Sequence, residues 1–313
     1  MPVDRRHLLA GAATLAVGAL VRPLPTLAAT ASLTEIAPGI HVHQGRHELF
    51  SPSNAGDIAN TGFIVGRDAV AVVDTGGSAG VGQALADAIR AVTDRPVRYV
   101  INTHMHPDHV LGNAAFRAEG VTFVAHHKMA RGLAARAQRY MSVNRQSIGE
   151  AGFAGTEIVL PDRGITGSEE IELGGRTLLL TARATAHTDN DLTVLDHQTG
   201  TAFLGDLLFS GHVPTIDGSI RGWISVLHEL AGEQFTRVVP GHGPPAMAWP
   251  DAARPLQRYL DAVASDVRAM IKKGMTLTDA SRSAASGEQP AWQLFGEYHP
   301  RNVSAAFAEL EWE

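Results

Sequence analysis

The chain has 313 residues, of which 44% are hydrophobic and 19% are charged, a globular composition with enough apolar side chains for a large core. Its formal net charge of -6 argues against a nucleic-acid binder, because neutralising phosphates requires a basic surface. Cysteine is absent, which excludes a disulfide framework, thiolate metal ligands and a cysteine nucleophile.

Residues 1–31 are typical of an export signal. The pair Arg5-Arg6 precedes a short apolar run from Leu8 to Val21, and small residues follow up to Ala31. The paired arginines resemble a twin-arginine signal, which exports folded, cofactor-loaded proteins, so we expect a periplasmic protein. A bilayer-spanning helix needs roughly 20 apolar residues. We therefore expect no stable membrane anchor, with an uncleaved tether as the alternative.

The next part of the chain alternates strands with a helix. Alternating or β-branched runs predict strands at Ile40–His43, Gly62–Val65, Ala69–Val73 and Val97–Ile101. The run 69–73 is almost continuously β-branched, as expected for a strand that is covered on both faces. After a turn at Asp74, apolar residues at helical spacing predict a helix from Ser78 to Thr93.

The second half of the chain repeats this alternation and then becomes helical. A hairpin is predicted over residues 170–178, with its turn at Gly174-Gly175. Further strands are predicted at Leu192–Leu195, Ala202–Leu204 and Val238-Val239. An apolar stripe then predicts a helix from Leu256 to Met270, closed by Gly274. No low-complexity linker separates these parts, which favours one domain with a helical extension packed on it.

The most informative stretch is Thr103-His104-Met105-His106-Pro107-Asp108-His109. His104 and His106 are two residues apart at the end of a strand, so their side chains share one face. A turn at Pro107 then brings Asp108 and His109 back towards the same point. Imidazole nitrogens and carboxylate oxygens suit Zn²⁺. Four residues of this type, packed after a buried strand, predict a metal site rather than a set of structural histidines.

The pattern H-x-H-x-D-H after a strand resembles the signature of the metallo-β-lactamase superfamily. Later segments match the family's pattern in order, namely Ala186-His187-Thr188, Phe203-Leu204-Gly205-Asp206 and Pro240-Gly241-His242-Gly243. The resemblance covers about residues 33–245. It implies an α/β fold of the αββα sandwich type, in which two mixed sheets are flanked by helices and the metals lie at one sheet edge. Residues 32–245 would form the catalytic domain and residues 246–313 a helical C-terminal extension packed on it.

The resemblance also implies a ligand set for two Zn²⁺ ions, with iron or manganese as alternative metals. One ion would be held by His104, His106 and His187. The other would be held by Asp108, His109 and His242, with Asp206 between the two ions and Asp74 supporting the ligands from behind. Three protein ligands leave an open position for water, and two metals can share a hydroxide. Asp108 would orient that hydroxide and so act as the catalytic residue.

Two departures from the family pattern bear on the substrate. The family commonly has Gly-His-Thr-Pro-Gly at the second histidine motif, whereas here Thr188 is followed by Asp189-Asn190-Asp191. Asp206 also stands where one group of true β-lactamases has cysteine. Both features favour a thioesterase-like hydrolase over a dedicated antibiotic hydrolase. The predicted reaction is hydrolysis of an ester, thioester or amide-like bond in a small molecule.

Three alternative functions remain open at this point. The first is a dedicated β-lactamase. The second is an iron-dependent oxidoreductase that acts on sulfur or oxygen with the same ligands. The third is a non-catalytic metal or cofactor carrier. The complete ligand set argues against a carrier, because a carrier does not need an open dinuclear site.

The run from Leu207 to Trp223 resembles a subgroup of exported zinc metallohydrolases associated with quinoprotein relay systems and periplasmic sulfur oxidation. This likeness implies association with such a system. Within the run, His212, Arg221 and Trp223 either contact the substrate or pack the loop. The remaining histidines of the mature chain are expected to be packing or surface residues, namely His41, His43, His47, His126, His127, His197, His228 and His299.

Overall fold

A computed structural model describes residues 31–313. The predicted export signal therefore lies outside the described residues, apart from Ala31. Among the residues described, no helix is both long and apolar enough to cross a bilayer.

The first sheet has seven strands in chain order, which are β1 Leu33–Ala37, β2 Ile40–His43, β3 Thr61–Val65, β4 Val70–Val73, β5 Val97–Ile101, β6 Thr122–His126 and β7 Arg163–Ile165. Strands β1 to β4 pair antiparallel, and β4 to β7 pair parallel. The parallel part brings the carboxyl ends of several strands to one edge of the sheet, where loops can assemble a site.

The second sheet has five strands in the order β12-β11-β10-β9-β8, which are β8 Ser168–Glu172, β9 Thr177–Ala182, β10 Leu192–Asp196, β11 Thr201–Phe209 and β12 Arg237–His242. Its pairs are antiparallel except for β11 and β12, which run parallel. The carboxyl ends of β11 and β12 therefore lie together at one edge.

Seven α-helices are found in residues 31–313, which are α1 Ala79–Val92, α2 Pro107–Val110, α3 Met129–Ile148, α4 Ile220–Ala231, α5 Arg254–Lys272, α6 Leu277–Ser283 and α7 Phe295–Leu310. Short 3₁₀ helices span Leu111–Phe116, Asp251–Ala253 and Ser286–Ala291. Helices α5, α6 and α7 form the predicted helical C-terminal region.

The apolar side chains divide into layers that identify the architecture. Along β4, Ala71 and Val73 face an apolar layer shared by both sheets, whereas Val70 and Val72 pack on α1. The outer face of the second sheet is covered by α4, α5 and α7, with Trp223 on α4 among the largest buried side chains. The fold is therefore the predicted αββα sandwich, and the apolar run of β4 reflects its burial on both faces.

Candidate metal centre

Loops and strand ends from both sheets deliver the seven predicted metal-binding residues to one place. Strand β5 leads to the segment 104–109, β11 carries Asp206, β12 ends at His242, and His187 lies in the loop between β9 and β10. The structure forms two groups, each with ligand atoms within 4.8 Å of one another. The first group contains His104, His106, His187 and Asp206, and the second contains Asp108, His109 and His242.

A single turn of helix explains how six consecutive residues supply four ligands. Pro107 is the first residue of α2, where its missing N–H costs nothing and its fixed φ suits the helix. The His109 N–H donates to the His106 carbonyl at 3.1 Å, which closes the turn. The turn returns Asp108 and His109 to the side on which His104 and His106 lie.

Asp206 lies between the two groups. Its Oδ1 is 3.1 Å from His109 Nε2, and its Oδ2 is 3.3 Å from His187 Nε2. The same Oδ2 lies 3.7 Å from His104 Nε2 and 3.6 Å from His242 Nε2. One carboxylate thus contacts imidazoles of both groups, which is the arrangement expected of a ligand shared by two metals.

Asp74 supports the centre through hydrogen bonds from behind the ligands. Its Oδ2 accepts from His109 Nδ1 at 2.8 Å and from the Thr103 hydroxyl at 2.7 Å, and its Oδ1 accepts from the Thr103 N–H at 2.8 Å. Asp74 has φ of 56°, a left-handed conformation that costs energy in a non-glycine residue. The surrounding hydrogen bonds maintain this strained turn, which aims the carboxylate at His109.

Backbone carbonyls and a further carboxylate orient the other histidines. His187 Nδ1 donates to the Thr215 carbonyl at 2.8 Å, and His242 Nδ1 donates to the Ile58 carbonyl at 2.9 Å. His106 Nε2 lies 3.2 Å from Asp217 Oδ2. A hydrogen bond on one ring nitrogen fixes the tautomer and leaves the other nitrogen free for a metal. Thr215 acts through its backbone and therefore has no recognisable sequence signal.

Two glycines allow close packing around Asp206. A Cβ on Gly241 would lie 1.9 Å from Asp206 Oδ1. Gly205, directly before Asp206, has φ of 52° and packs against Thr103 at a distance that a Cβ would not tolerate. The glycines of the Gly205-Asp206 and Gly241-His242 motifs thus have a steric role at the centre.

Burial and nearby charges shift the pKa values of the site histidines in two directions. Burial lowers the pKa of His187 to about 3, and burial together with the nearby His109 holds the pKa of His104 well below its ordinary value. Burial would also lower the pKa values of His242 and His109, but the nearby carboxylates, of which Asp206 has the largest effect, together outweigh burial and raise both values, that of His242 to about 9. His104 and His187 are therefore neutral near pH 7, the form that binds metal.

The two carboxylates of the centre are ionised. Burial would raise the pKa of Asp206, but the surrounding imidazoles, of which His109 has the largest effect, hold it well below its ordinary value. For Asp108, burial is likewise outweighed by His109 and by the hydrogen bond with His242, so its pKa falls to about 2. Buried charges are normally paired or bound to metals.

The donor set fits a metal. Three buried atoms of the centre make no hydrogen bond of acceptable geometry, namely His104 Nε2, His109 Nε2 and Asp206 Oδ1, although the last two lie 3.1 Å apart. Buried polar atoms without partners are rare in folded proteins and call for an explanation such as an ion. Because these atoms face one another from both groups, a metal ion bound by imidazole and carboxylate explains all three.

The sequence model of the family described as the metallo-beta-lactamase superfamily matches residues 55–242, which is more than half of the chain. The chain belongs to the metallo-β-lactamase superfamily. All seven ligand-type residues lie within the matched range. The helical C-terminal region lies beyond it.

Several known proteins resemble parts of this chain. A hydroxyacylglutathione hydrolase from Polaromonas sp. strain JS666 is 29% identical over 154 residues, which are 47% of this chain and 48% of that relative. The match thus spans about half the length of the relative. The stereoselective inverting sec-alkylsulfatase Pisa1 from Pseudomonas sp. has a TM-score of 0.69 at 15% identity, covering 89% of this chain and 50% of that chain.

A further solved structure, the metallo-beta-lactamase FIM-1 from Pseudomonas aeruginosa in a mono-zinc form, has a TM-score of 0.56 at 19% identity. It covers 74% of this chain and 94% of that chain. At such identities the likeness to both solved structures shows the fold alone.

The three residues predicted to contact the substrate or pack the loop occupy different environments. His212 is buried, and its ring stacks on His242 with centroids 5.0 Å apart. Trp223 is fully buried behind His187, and its Nε1 donates to the Leu207 carbonyl at 3.1 Å. Arg221 is exposed and pairs with Glu313 at 3.3 Å. These placements favour the packing interpretation for Trp223 and keep His212 beside the metal centre.

The altered loop after His187 forms a compact local network. The Asp191 carboxylate accepts from the Thr188 N–H at 2.9 Å and from the Thr188 hydroxyl at 2.6 Å. Burial raises the pKa of Asp191 to about 7. The Asn190 N–H donates to the Thr188 hydroxyl oxygen at 3.1 Å. Hydrogen bonds from polar side chains thus hold the backbone that follows His187, where the common family motif has proline and glycine.

Proposed function

We propose that this protein is a hydrolase that binds two zinc ions and cleaves an ester, thioester or amide-like bond in a small molecule. The observation that carries the proposal is the position of Asp206, whose two oxygens contact imidazoles of both ligand groups. A site for a single ion does not need a second group of three ligands beside the first. The imidazole and carboxylate donors of the two groups suit Zn²⁺, which supports zinc as the metal.

The residues of the two groups would hold the ions, and each residue contributes in a definable way. When bound, a pair of zinc ions lowers the pKa of water towards neutrality and polarises the substrate carbonyl. Asp108 is ionised, and its Oδ2 lies 3.2 Å from His242 Nε2, within the second ligand group. An ionised carboxylate at this position would accept a hydrogen bond from the attacking water and orient it. Asp74 fixes the ring of His109.

The choice of substrate class rests on the site and on the hydroxyacylglutathione hydrolase that resembles half of this chain. The chain has no cysteine ligand and retains Asp206 between the groups. The 29% identical relative is named a hydroxyacylglutathione hydrolase. Both points support a thioesterase-like activity over a dedicated β-lactamase.

The proposal extends to location and partners. The Arg5-Arg6 pair and the apolar run that follows support export by the twin-arginine route to the periplasm. The segment from Leu207 to Trp223 supports an association with a periplasmic quinoprotein or sulfur-oxidation system. Copurification with such a partner from the native host would test the association, and its absence at native expression levels would argue against it.

Metal analysis combined with a substrate panel tests the proposed activity. We expect two zinc ions per chain and turnover of thioesters, lactones or other small esters that exceeds turnover of β-lactams. His242→Ala should lower occupancy to one ion, and Asp206→Ala should weaken both sites without unfolding the chain. Asp108→Asn should reduce kcat by at least about 100-fold, which is the usual contribution of a general acid or base.

Three results would contradict the proposal. The first is an occupancy of fully loaded protein that never exceeds one ion. The second is β-lactam hydrolysis with kcat/KM on the order of 10⁶ M⁻¹s⁻¹ or more, within the range of specialised enzymes. The third is bound iron with substrate-dependent oxygen consumption, which would establish the oxidoreductase alternative.

A further inference from the structure

The helical C-terminal region contacts residues 214–220, a stretch of chain beside the metal centre that we call the bridging segment. Its Thr215 carbonyl accepts from His187 Nδ1 at 2.8 Å. Its Asp217 contacts His106 Nε2 at 3.2 Å, and the Asp217 N–H donates to the His187 carbonyl at 3.0 Å. Two histidines of the first ligand group are thus oriented by this one segment.

Helix α7 holds the beginning of the bridging segment through a buried amide. Asn302 is 1% exposed. Its Nδ2 donates to the Pro214 carbonyl at 2.6 Å, and its Oδ1 accepts from the Ile216 N–H at 3.0 Å. These two bonds fix the peptide groups on either side of Thr215, whose carbonyl contacts His187. A carbonyl partner and an N–H partner also define which end of the amide is oxygen.

The same helix holds the end of the bridging segment through a carboxylate. Glu309 accepts from the Ser219 hydroxyl at 2.7 Å and from the Ile220 N–H at 2.8 Å, at the start of α4. Asn302 and Glu309 are seven residues apart, which is about two turns of helix, so they lie on the same face of α7. One face of α7 therefore forms hydrogen bonds with both ends of the bridging segment.

Asn302 also belongs to a buried polar network that includes Tyr259 of α5. Its Nδ2 also donates to the Tyr259 hydroxyl at 2.9 Å. That hydroxyl lies 2.9 Å from His299 Nδ1, and His299 Nε2 donates to the Ala284 carbonyl at 2.8 Å. Buried polar groups need partners, because an unpaired one destabilises the fold. On α7 the partners of Asn302 and Glu309 include backbone groups of the bridging segment, so the helix fixes the conformation of that segment.

We propose that Asn302 and Glu309 are positioning residues that hold the bridging segment so that Thr215 and Asp217 orient His187 and His106. The inference rests on the proposed function, because it takes these two histidines as metal ligands. It makes the first metal group dependent on a helix that lies outside the range matched by the family model. The second group, Asp108, His109 and His242, makes no hydrogen bond to the bridging segment within residues 31–313.

Stepwise metal affinity of the full-length mature protein tests this inference. Zinc would be titrated in competition with a chromophoric chelator, and the absorption spectrum of the cobalt-substituted protein would be recorded. Loss of a hydrogen-bond partner behind a metal ligand costs about 10- to 100-fold in affinity. We expect Asn302→Ala to lower the affinity for one of the two ions by that factor and to change the cobalt spectrum. The affinity for the other ion should stay unchanged. Excess zinc should restore kcat.

Tyr259→Phe is the matched control. It removes a hydroxyl from the same network but leaves the bonds from Asn302 to Pro214 and Ile216 in place. It should lower the melting temperature without changing either affinity. Equal weakening of metal binding in Tyr259→Phe and Asn302→Ala would show general loosening of the helical region and would overturn the inference.

Additional variants keep the test decisive if Asn302→Ala does not fold. Asn302→Asp retains an acceptor for the Ile216 N–H but loses the donor to Pro214, so an intermediate affinity is expected. Glu309→Gln should lower the affinity for the same ion by a smaller factor. Affinities equal to wild type in both variants would overturn the inference while leaving two-metal binding intact. If the wild-type protein binds no zinc, the proposed function is contradicted, and the inference that rests on it is contradicted as well.

Discussion

At the residue scale, the metal centre depends on small side chains as much as on its ligands. The ligand motif 104–109 could be interpreted from the sequence because histidine and aspartate are chemically distinctive and closely spaced. The steric roles of Gly205 and Gly241 could not, since they arise only when β11 packs against Thr103, just after β5 of the first sheet, and β12 pairs with β11 and brings Gly241 against Asp206. The contribution of Thr215 was equally hidden, because it consists of a backbone carbonyl.

Gly241→Ala should impair metal binding although residue 241 is not a ligand. The added methyl group would lie 1.9 Å from Asp206 Oδ1, so the carboxylate must move away from both ligand groups. We expect zinc content below one ion per chain and loss of activity, measured by elemental analysis and a thioester assay. Gly80→Ala is the control, because a Cβ there meets only Ser78 Oγ at 3.8 Å and alanine favours the interior of α1. Full zinc content in Gly241→Ala would refute this account of the glycine.

At the scale of elements, the sequence predicted best those segments whose apolar pattern is strong. The strands at 40–43 and 97–101, the hairpin turn at Gly174-Gly175 and helix α1, which is capped by Ser78, are confirmed. Helix α3 was not predicted, because only four of its 20 residues are buried and its apolar stripe is weak. Helix α4 was also not predicted, since the run from Leu207 to Trp223 was interpreted only through its resemblance to a subgroup, with loop packing as one role for Arg221 and Trp223.

The loop before β3 is anchored to β2 by a titratable pair. His43 Nε2 contacts Asp57 Oδ1 at 2.7 Å, with the cation of Arg46 nearby. Burial would lower the pKa of His43, but the hydrogen bond and charge of Asp57 outweigh burial and raise it above 6.5. A raised pKa in the folded state contributes stability that is complete below pH 6.5 and is lost as the pH rises through the folded-state value.

His43→Gln should therefore lower the free energy of unfolding more at pH 5.5 than at pH 8.5, measured by urea denaturation. His41 on the same strand provides a contrast, because burial lowers its pKa against the opposing effect of Glu35. His41→Gln should show a weaker dependence of the opposite sign. A His43→Gln effect that does not change across this pH range would exclude the ion pair as its cause.

At the scale of the whole molecule, the αββα architecture followed from the resemblance rather than from periodicity. Apolar alternation shows that strands and helices mix, but not how many layers they form. The chain also combines a matched core with a helical region that the family model does not cover. The contacts of α7 with residues 214–220 could not be predicted, because nothing in the spacing of Asn302 and Glu309 indicates a partner some 90 residues earlier in the chain.

Export should depend on the paired arginines at the start of the chain. Replacing Arg5 and Arg6 together by lysine keeps the charge but removes the twin-arginine feature, so the precursor should accumulate in the cytoplasm. Cell fractionation followed by N-terminal sequencing measures both location and cleavage. Unimpaired export of the double-lysine variant, or wild-type protein in the cytoplasm with residues 1–31 attached, would contradict the expected route.

The two sheets of the sandwich supply different ligands, and this has a thermodynamic consequence. His104 to His109 follow a strand of the first sheet, whereas Asp206 and His242 lie on strands of the second. An ion bound by both sheets acts as a cross-link of the folded state, since the unfolded chain does not hold these residues together. Each zinc ion, at a free concentration 100 times its Kd, should therefore add about 2.7 kcal/mol to the free energy of unfolding, and a chelator should remove this contribution. Calorimetry with and without chelator measures this coupling. Identical melting temperatures would show that metal binding does not stabilise the folded sandwich.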